Sequence, residues 1–160
     1  MIFWFGELTA EETICHLIVT NKLNNCVFTI PSPFDEEKSI DLSITLDKKT
    51  KNSVRLSNGS PFIYTDISLN AKILSTNSHT NSLGNQDLKQ IKSYTESYVK
   101  DKVQSYLYKT AKEFKSDIDS FGRYTVSYFN TWDKWMKYNW LDNYQNSFFN
   151  VNIHVNLSCN

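Results

Sequence analysis

The chain has 160 residues and a mass of 18.7 kDa, the size of one domain that builds its core without disulfide staples. Apolar residues make up 40% and charged residues 21%, a globular rather than disordered composition, and 17 basic against 17 acidic residues leave no net charge. That balance excludes a general nucleic-acid binder and adhesion to anionic lipid by overall charge, and only four Gly and three Pro exclude collagen-like and Pro-rich linker chains.

Thr9-Ala10-Glu11-Glu12 reads as a capping box that opens a helix over 10–19, with Ile14, Leu17 and Ile18 at helical spacing. A turn over 21–25 leads to a short strand at 26–30, which stops at Pro31 and Pro33. Ile40, Leu42, Ile44 and Leu46 alternate with polar residues, so a strand with one buried face runs over 39–56. Asn58-Gly59 predicts a hairpin turn, because both residues tolerate positive φ, and Ile63, Ile67, Leu69, Ala71 and Ile73 continue the ribbon over 61–75.

A polar loop over 75–85 precedes the longest predicted helix, 86–115, capped by Asn85. Leu88, Ile91, Tyr98, Val99, Lys102 or Val103, Tyr106, Ala111 and Phe114 follow its 3.6-residue period. Seven Lys against four acidic residues give this segment a charge of +3, read as a solvated outer face or a basic face for an acidic partner. From Asp117 the composition shifts: 11 of the last 44 residues are aromatic. A helix over 123–141 would place Tyr128, Trp132, Trp135 and Met136 on one face, for core packing, a partner surface or a ligand platform. Val151, Ile153, Val155 and Leu157 then alternate with polar residues in a last strand over 149–158.

Cys15, Cys26 and Cys159 form neither a disulfide framework nor a zinc pattern, although a Cys15–Cys26 bridge stays open. The apolar runs are too short to span a bilayer, and no leader signature precedes Glu7. Phosphate-cradling glycine motifs and H-E-x-x-H are absent, and His16, His79 and His154 lack ligand spacing. Cys15-His16 are direct neighbours, which point about 100° apart on a helix and so do not make a nucleophile–base pair. Asp117 and Asp119 suit turn or capping roles better than a glycosidase pair. Asn58-Gly59-Ser60 and Asn156-Leu157-Ser158 match the short glycosylation pattern. These residues point to no catalytic site, no cofactor and no metal.

The stretch Gly6-Glu7-Leu8-Thr9-Ala10-Glu11-Glu12-Thr13 resembles the G-x-L-x-x-x-E-[ST] start of the C-terminal domain of Ger(x)C proteins, the C subunits of spore germinant receptors of Bacillus and Clostridium type. The order that follows is similar too: an alternating β-region, a long Lys-rich helix, Asp117 to Gly122 as a D-x-x-x-x-G exit, Trp132 and Trp140 as a W…W pair, and Phe148 leading into Val151, Ile153 and Val155. Phe129-Asn130-Thr131 departs from the pattern, which often carries Pro there, and the Gly that commonly follows the last strand is missing before Asn160.

The resemblance implies a non-enzymatic domain of a receptor C subunit. Such a subunit acts with membrane-embedded A and B subunits in nutrient-triggered germination, on the outer face of the spore inner membrane. It also implies a longer parent with a lipoprotein leader and two preceding domains, so Met1 is expected to begin either an excised piece or a truncated reading frame, soluble by itself, with the lipid anchor elsewhere. No catalytic residue carries over from the resemblance. Gly6 and Gly122 suit turns in which positive φ is open to the chain, Glu12 suits a cap, and Trp132 and Trp140 are expected in the core.

The expected architecture is a single α+β domain over 1–160. An antiparallel sheet of about four strands is packed by one long helix and shorter helices. The alternative to an interaction module is a small-ligand-binding domain that uses the C-terminal aromatic cluster.

Overall fold

A computed structural model describes residues 6–76 and 84–159. The first helix, α1 (Ala10–Val19), starts with the predicted capping box. The Thr9 hydroxyl accepts from the Glu12 amide at 3.2 Å, and the Glu12 carboxylate accepts from the Thr9 amide at 2.8 Å. The helix buries Cys15, Ile18 and Val19.

Four strands follow the chain across the sheet in the order β1-β2-β3-β4: β1 (Cys26–Pro31), β2 (Ser39–Ser57), β3 (Ser60–Thr76) and β4 (Phe148–Ser158). β2 and β3 form the predicted hairpin. Asn58 at φ 49° and Gly59 at φ 83° occupy its two turn positions, the left-handed pair that suits the twist of the strands. β1 joins β2 antiparallel, but β4 runs parallel to β3, with Phe62 opposite Phe148 and Lys72 opposite Ser158. The sheet is therefore mixed, and the expectation of a wholly antiparallel sheet is corrected at this pair. Alternation reports which face of a strand is buried but not its direction. Direction comes from the connection, and the helical crossover between β3 and β4 returns the chain to the starting end of the sheet.

One sheet face carries Ile40, Leu42, Ile44, Ile63, Ile67, Leu69, Phe149, Val151 and Val155 into the core. The long helix α2 (Asn85–Lys109) lies over the sheet and buries Ile91, Thr95, Val99, Val103, Tyr106 and Leu107, nearly one residue per turn. The other face holds cross-strand polar pairs. Thr29 and Ser75 both donate to Asp41, at 2.7 and 2.8 Å, and Asn152 donates to Asp66 at 2.9 Å.

The helix differs from expectation at both ends. Gly84 rather than Asn85 is the cap residue, and its amide donates to Asp87 at 2.9 Å. Most of the predicted 75–85 loop, including His79, lies outside the described residues. At the far end, residues Thr110–Phe114 loosen into a π turn that closes at Lys115 in the left-handed region. There the buried Thr110 hydroxyl donates to the Leu107 carbonyl at 2.7 Å and lies 2.7 Å from the Tyr144 hydroxyl.

The predicted helix over 123–141 is not continuous. Two 3₁₀ turns, Phe121–Tyr124 and Val126–Tyr128, precede α3 (Trp132–Tyr138) and α4 (Trp140–Tyr144). Local hydrogen bonding ends each piece. The Thr125 hydroxyl binds the Gly122 carbonyl, Phe129 is extended, Thr131 caps α3, and Asn139 at φ 51° separates α3 from α4.

Candidate functional site

The residues that the sequence singles out gather where α1, the end of α2 and the segment 115–144 meet. Asp117 organises one half. Its carboxylate accepts from the amides of Phe121 and Gly122 at 2.8 and 2.7 Å, and from the Trp140 indole nitrogen at 2.7 Å. Burial raises its pKa, and the three donors work against that rise. Asp117 thus fills the predicted turn role and also anchors a tryptophan.

Gly122 does not use the positive φ open to a glycine in a turn; among the described glycines only Gly59 adopts it. It is small because the indole of Trp140 passes over it: a Cβ there would stand 2.7 Å from Nε1. Gly6 is likewise a close-approach position, under the ring of Phe114.

Asp119 has a role that sequence reasoning missed. Its side chain is fully buried and receives the Tyr106 hydroxyl at 2.9 Å, while His16 Nδ1 lies 2.9 Å from the same carboxylate. Tyr106 also meets His16 Nδ1 at 3.1 Å. The cluster ties α1, α2 and the exit loop through three residues from separate parts of the chain. The Asp117-to-Gly122 spacing marked the loop, but nothing local could pair Asp119 with His16, 103 positions away, or with Tyr106, 13 positions away.

Two ion pairs flank this cluster, Lys102 to Glu11 at 2.7 Å and Lys109 to Glu12 at 2.8 Å. The hydrogen bond to Glu11 raises the Lys102 pKa. Burial opposes ionisation of Glu12, but Lys109 and the Thr9 amide outweigh it and lower the Glu12 pKa. Part of the basic face of α2 therefore docks α1 rather than facing solvent.

Cys15 does not pair with His16. Its buried thiol has a pKa pushed up to about 12 by desolvation, so it is protonated and inert as a nucleophile at neutral pH. Cys15, Cys26 and Cys159 are all free thiols, so the open Cys15–Cys26 alternative is not realised.

The aromatic segment divides in two. Trp140, Tyr144 and Phe121 are core residues, with Phe121 and Tyr144 stacked at 6.4 Å. Trp132 is 63% exposed, against the expectation that it joins the core with Trp140. It stacks at 4.9 Å on Trp135, whose indole donates to Thr125 at 3.1 Å. Met136, one turn further along the same face of α3, is also exposed. Tyr128 falls in the second 3₁₀ turn, outside α3, and its hydroxyl donates to the Val54 carbonyl at 2.8 Å. Tyr138 binds the Gly59 carbonyl at 2.7 Å. The segment is thus strapped across the hairpin, with α3 outermost and none of its residues buried.

The architecture is that of a four-stranded mixed sheet crossed by a long helix. It matches the crystal structure of the GerBC protein with a TM-score of 0.73 at 20% identity, over 95% of this chain and 46% of that one. The likeness establishes the fold, and this chain spans about half the length of that relative. No curated protein sequence matches the chain. A family model described as "Spore germination B3/ GerAC like, C-terminal" matches residues 3–159, and the chain belongs to that family.

Proposed function

We propose that this chain is a non-enzymatic domain of a germinant receptor C subunit, and that it contributes to nutrient-triggered spore germination by contacting the membrane-embedded A and B subunits. The observation that carries the reading is family membership over nearly the whole chain, residues 3–159. The chemistry of the site supports a structural role. The polar groups of the His16–Tyr106–Asp119 cluster satisfy one another, and the nearby thiol is inert. In this reading the parent is a lipoprotein held on the outer face of the spore inner membrane. Among the described residues, no helix is long and apolar enough to cross a membrane.

The exposed face of α3 is the surface we assign to the receptor contact. Large apolar side chains held out by a short capped helix are a common feature of interfaces. The small-ligand alternative has less support, because Trp140 is sunk in the core while Trp132 and Trp135 stack on each other at the surface. The test is cross-linking in spore membranes with the domain carried in its full-length parent. The two membrane subunits should be recovered, and less of them when Trp132→Ala and Met136→Ala are combined. Recovery of neither subunit would overturn the proposal.

A further inference from the structure

The pattern of β2 breaks in its middle. Its pairing with β3 shifts register between Leu46 and Lys48 and again between Lys48 and Lys51. Such bulges re-aim side chains. Here they turn Thr50 inward, where its hydroxyl donates to the Ile18 carbonyl at 2.8 Å, and Asn52 donates to the Val19 carbonyl at 3.0 Å. These two residues satisfy carbonyls at the end of α1.

The same irregularity leaves Lys48, Lys49 and Lys51 all exposed on the outside. They line one cleft of about 340 Å³, completed by Asp66, Ile67 and Ser68 from β3 and Asn152, Ile153 and His154 from β4. None of the three lysines has an ion-pair partner among the described residues. The carboxylates nearby already hold other donors: Asp66 accepts from Asn152 at 2.9 Å, and Asp47 accepts from Ser68 at 2.9 Å. His154 is exposed, with Nδ1 3.6 Å from Glu96.

We propose that this cleft binds a phosphate-bearing ligand through the side chains of Lys48, Lys49 and Lys51, with the His154 imidazole in its wall. Gripping α1 requires only Thr50 and Asn52; it does not require three like charges around one concavity. Asp66 in the cleft wall and Asp47 beside it offset two of the three positive charges, and the surplus of one that remains marks a site for an anion in a chain of zero net charge. Lysines act on phosphate as point charges from several sides, which suits an open cleft. Lys89 and Lys100, also without an ion-pair partner among the described residues, lie 11 positions apart on α2, about 16 Å along its axis. The phosphate belongs either to a soluble ester or to an anionic lipid headgroup, and the proposal is independent of the receptor reading.

The test is amide chemical-shift mapping of the 160-residue chain with inorganic phosphate, and flotation with phosphatidylglycerol or phosphatidylcholine vesicles. Shifts confined to 48–51, 66–68 and 152–154 with phosphate identify a soluble-phosphate site. Flotation with phosphatidylglycerol alone, without those shifts, identifies a headgroup site. In either case Lys48→Gln, Lys49→Gln and Lys51→Gln together should weaken binding at least tenfold. The matched triple Lys89→Gln, Lys100→Gln and Lys112→Gln should change it less than twofold. No response to either probe, or equal losses in the two triples, overturns the proposal. Should the cleft triple unfold, the shift map and flotation of the unsubstituted chain decide the matter.

Discussion

Replacing Gly122 by alanine tests the packing of the exit loop most directly. The new Cβ would stand 2.7 Å from Trp140 Nε1 and 2.8 Å from Cδ1, distances that real methyl groups do not tolerate. Trp140 cannot swing aside freely, because it is 7% exposed and its indole is bonded to Asp117. Overpacking of this kind costs about 1–3 kcal/mol. Pulling the indole off the half-buried Asp117 carboxylate adds about 1.5–3 kcal/mol. Gly→Ala at a permitted φ returns about 0.4–1 kcal/mol through the unfolded chain. The net expectation is a loss of about 2–5 kcal/mol, or a Tm lower by roughly 5–15 °C for a chain of this size. Urea unfolding followed by tryptophan fluorescence would measure it. The same contact couples the two positions. In a Trp140→Phe background the indole nitrogen is gone, so Gly122→Ala should cost at least about 1 kcal/mol less. An unchanged midpoint for Gly122→Ala, or strict additivity with Trp140→Phe, would refute the close-approach account.

Tyr106→Phe removes one of the two donors on buried Asp119 and should cost about 1–3 kcal/mol in thermal or urea unfolding, with no change in the far-ultraviolet spectrum. The Glu12 pKa is lowered in the folded state, so its stabilisation is present above the ordinary 4.5 and fades as pH falls through the lower folded value. Glu12→Gln should therefore cost about 1 kcal/mol at neutral pH, and the gap to the parent should close in acid titrations below pH 4.5. Trp132→Ala should alter stability by less than about 0.5 kcal/mol, because the ring is largely exposed, whereas Trp140→Ala should cost about 3–5 kcal/mol; paired melting curves compare the two.

The elements with strong local signals were legible in the sequence. The Thr9–Glu12 box and the Asn58-Gly59 turn carry their geometry in adjacent residues, and the alternating runs of β2, β3 and β4 announce their buried face. The parallel placement of β4 was legible in principle, since a long helix between two strands is the mark of a crossover, but the period-2 pattern does not encode it. The aromatic count at 117–160 marked an important segment without distinguishing buried Trp140 from exposed Trp132. That difference arises because Asn139 turns the chain between α3 and α4 and sends the two rings to different environments. Asp119 was invisible for another reason. A lone carboxylate in a loop looks like a turn residue until tertiary packing delivers His16 and Tyr106 to it. The lysines of the β2 bulge read as an exposed run, and only the register shifts reveal that they share one concavity.

The parallel strand β4 also bears on the order of assembly. β3 is an interior strand only once residues 148–158 have arrived, so while the crossover is being made its free side is an open template for foreign strands. Closing that gap requires a loop of some seventy residues to be formed first, which makes the final pairing slow by comparison with the β2–β3 hairpin. A nascent chain halted before Phe148 would display this unpaired side persistently and would need a chaperone to stay out of aggregates. Completion of the domain, and its safety in the cell, thus rest on its last eleven-residue strand.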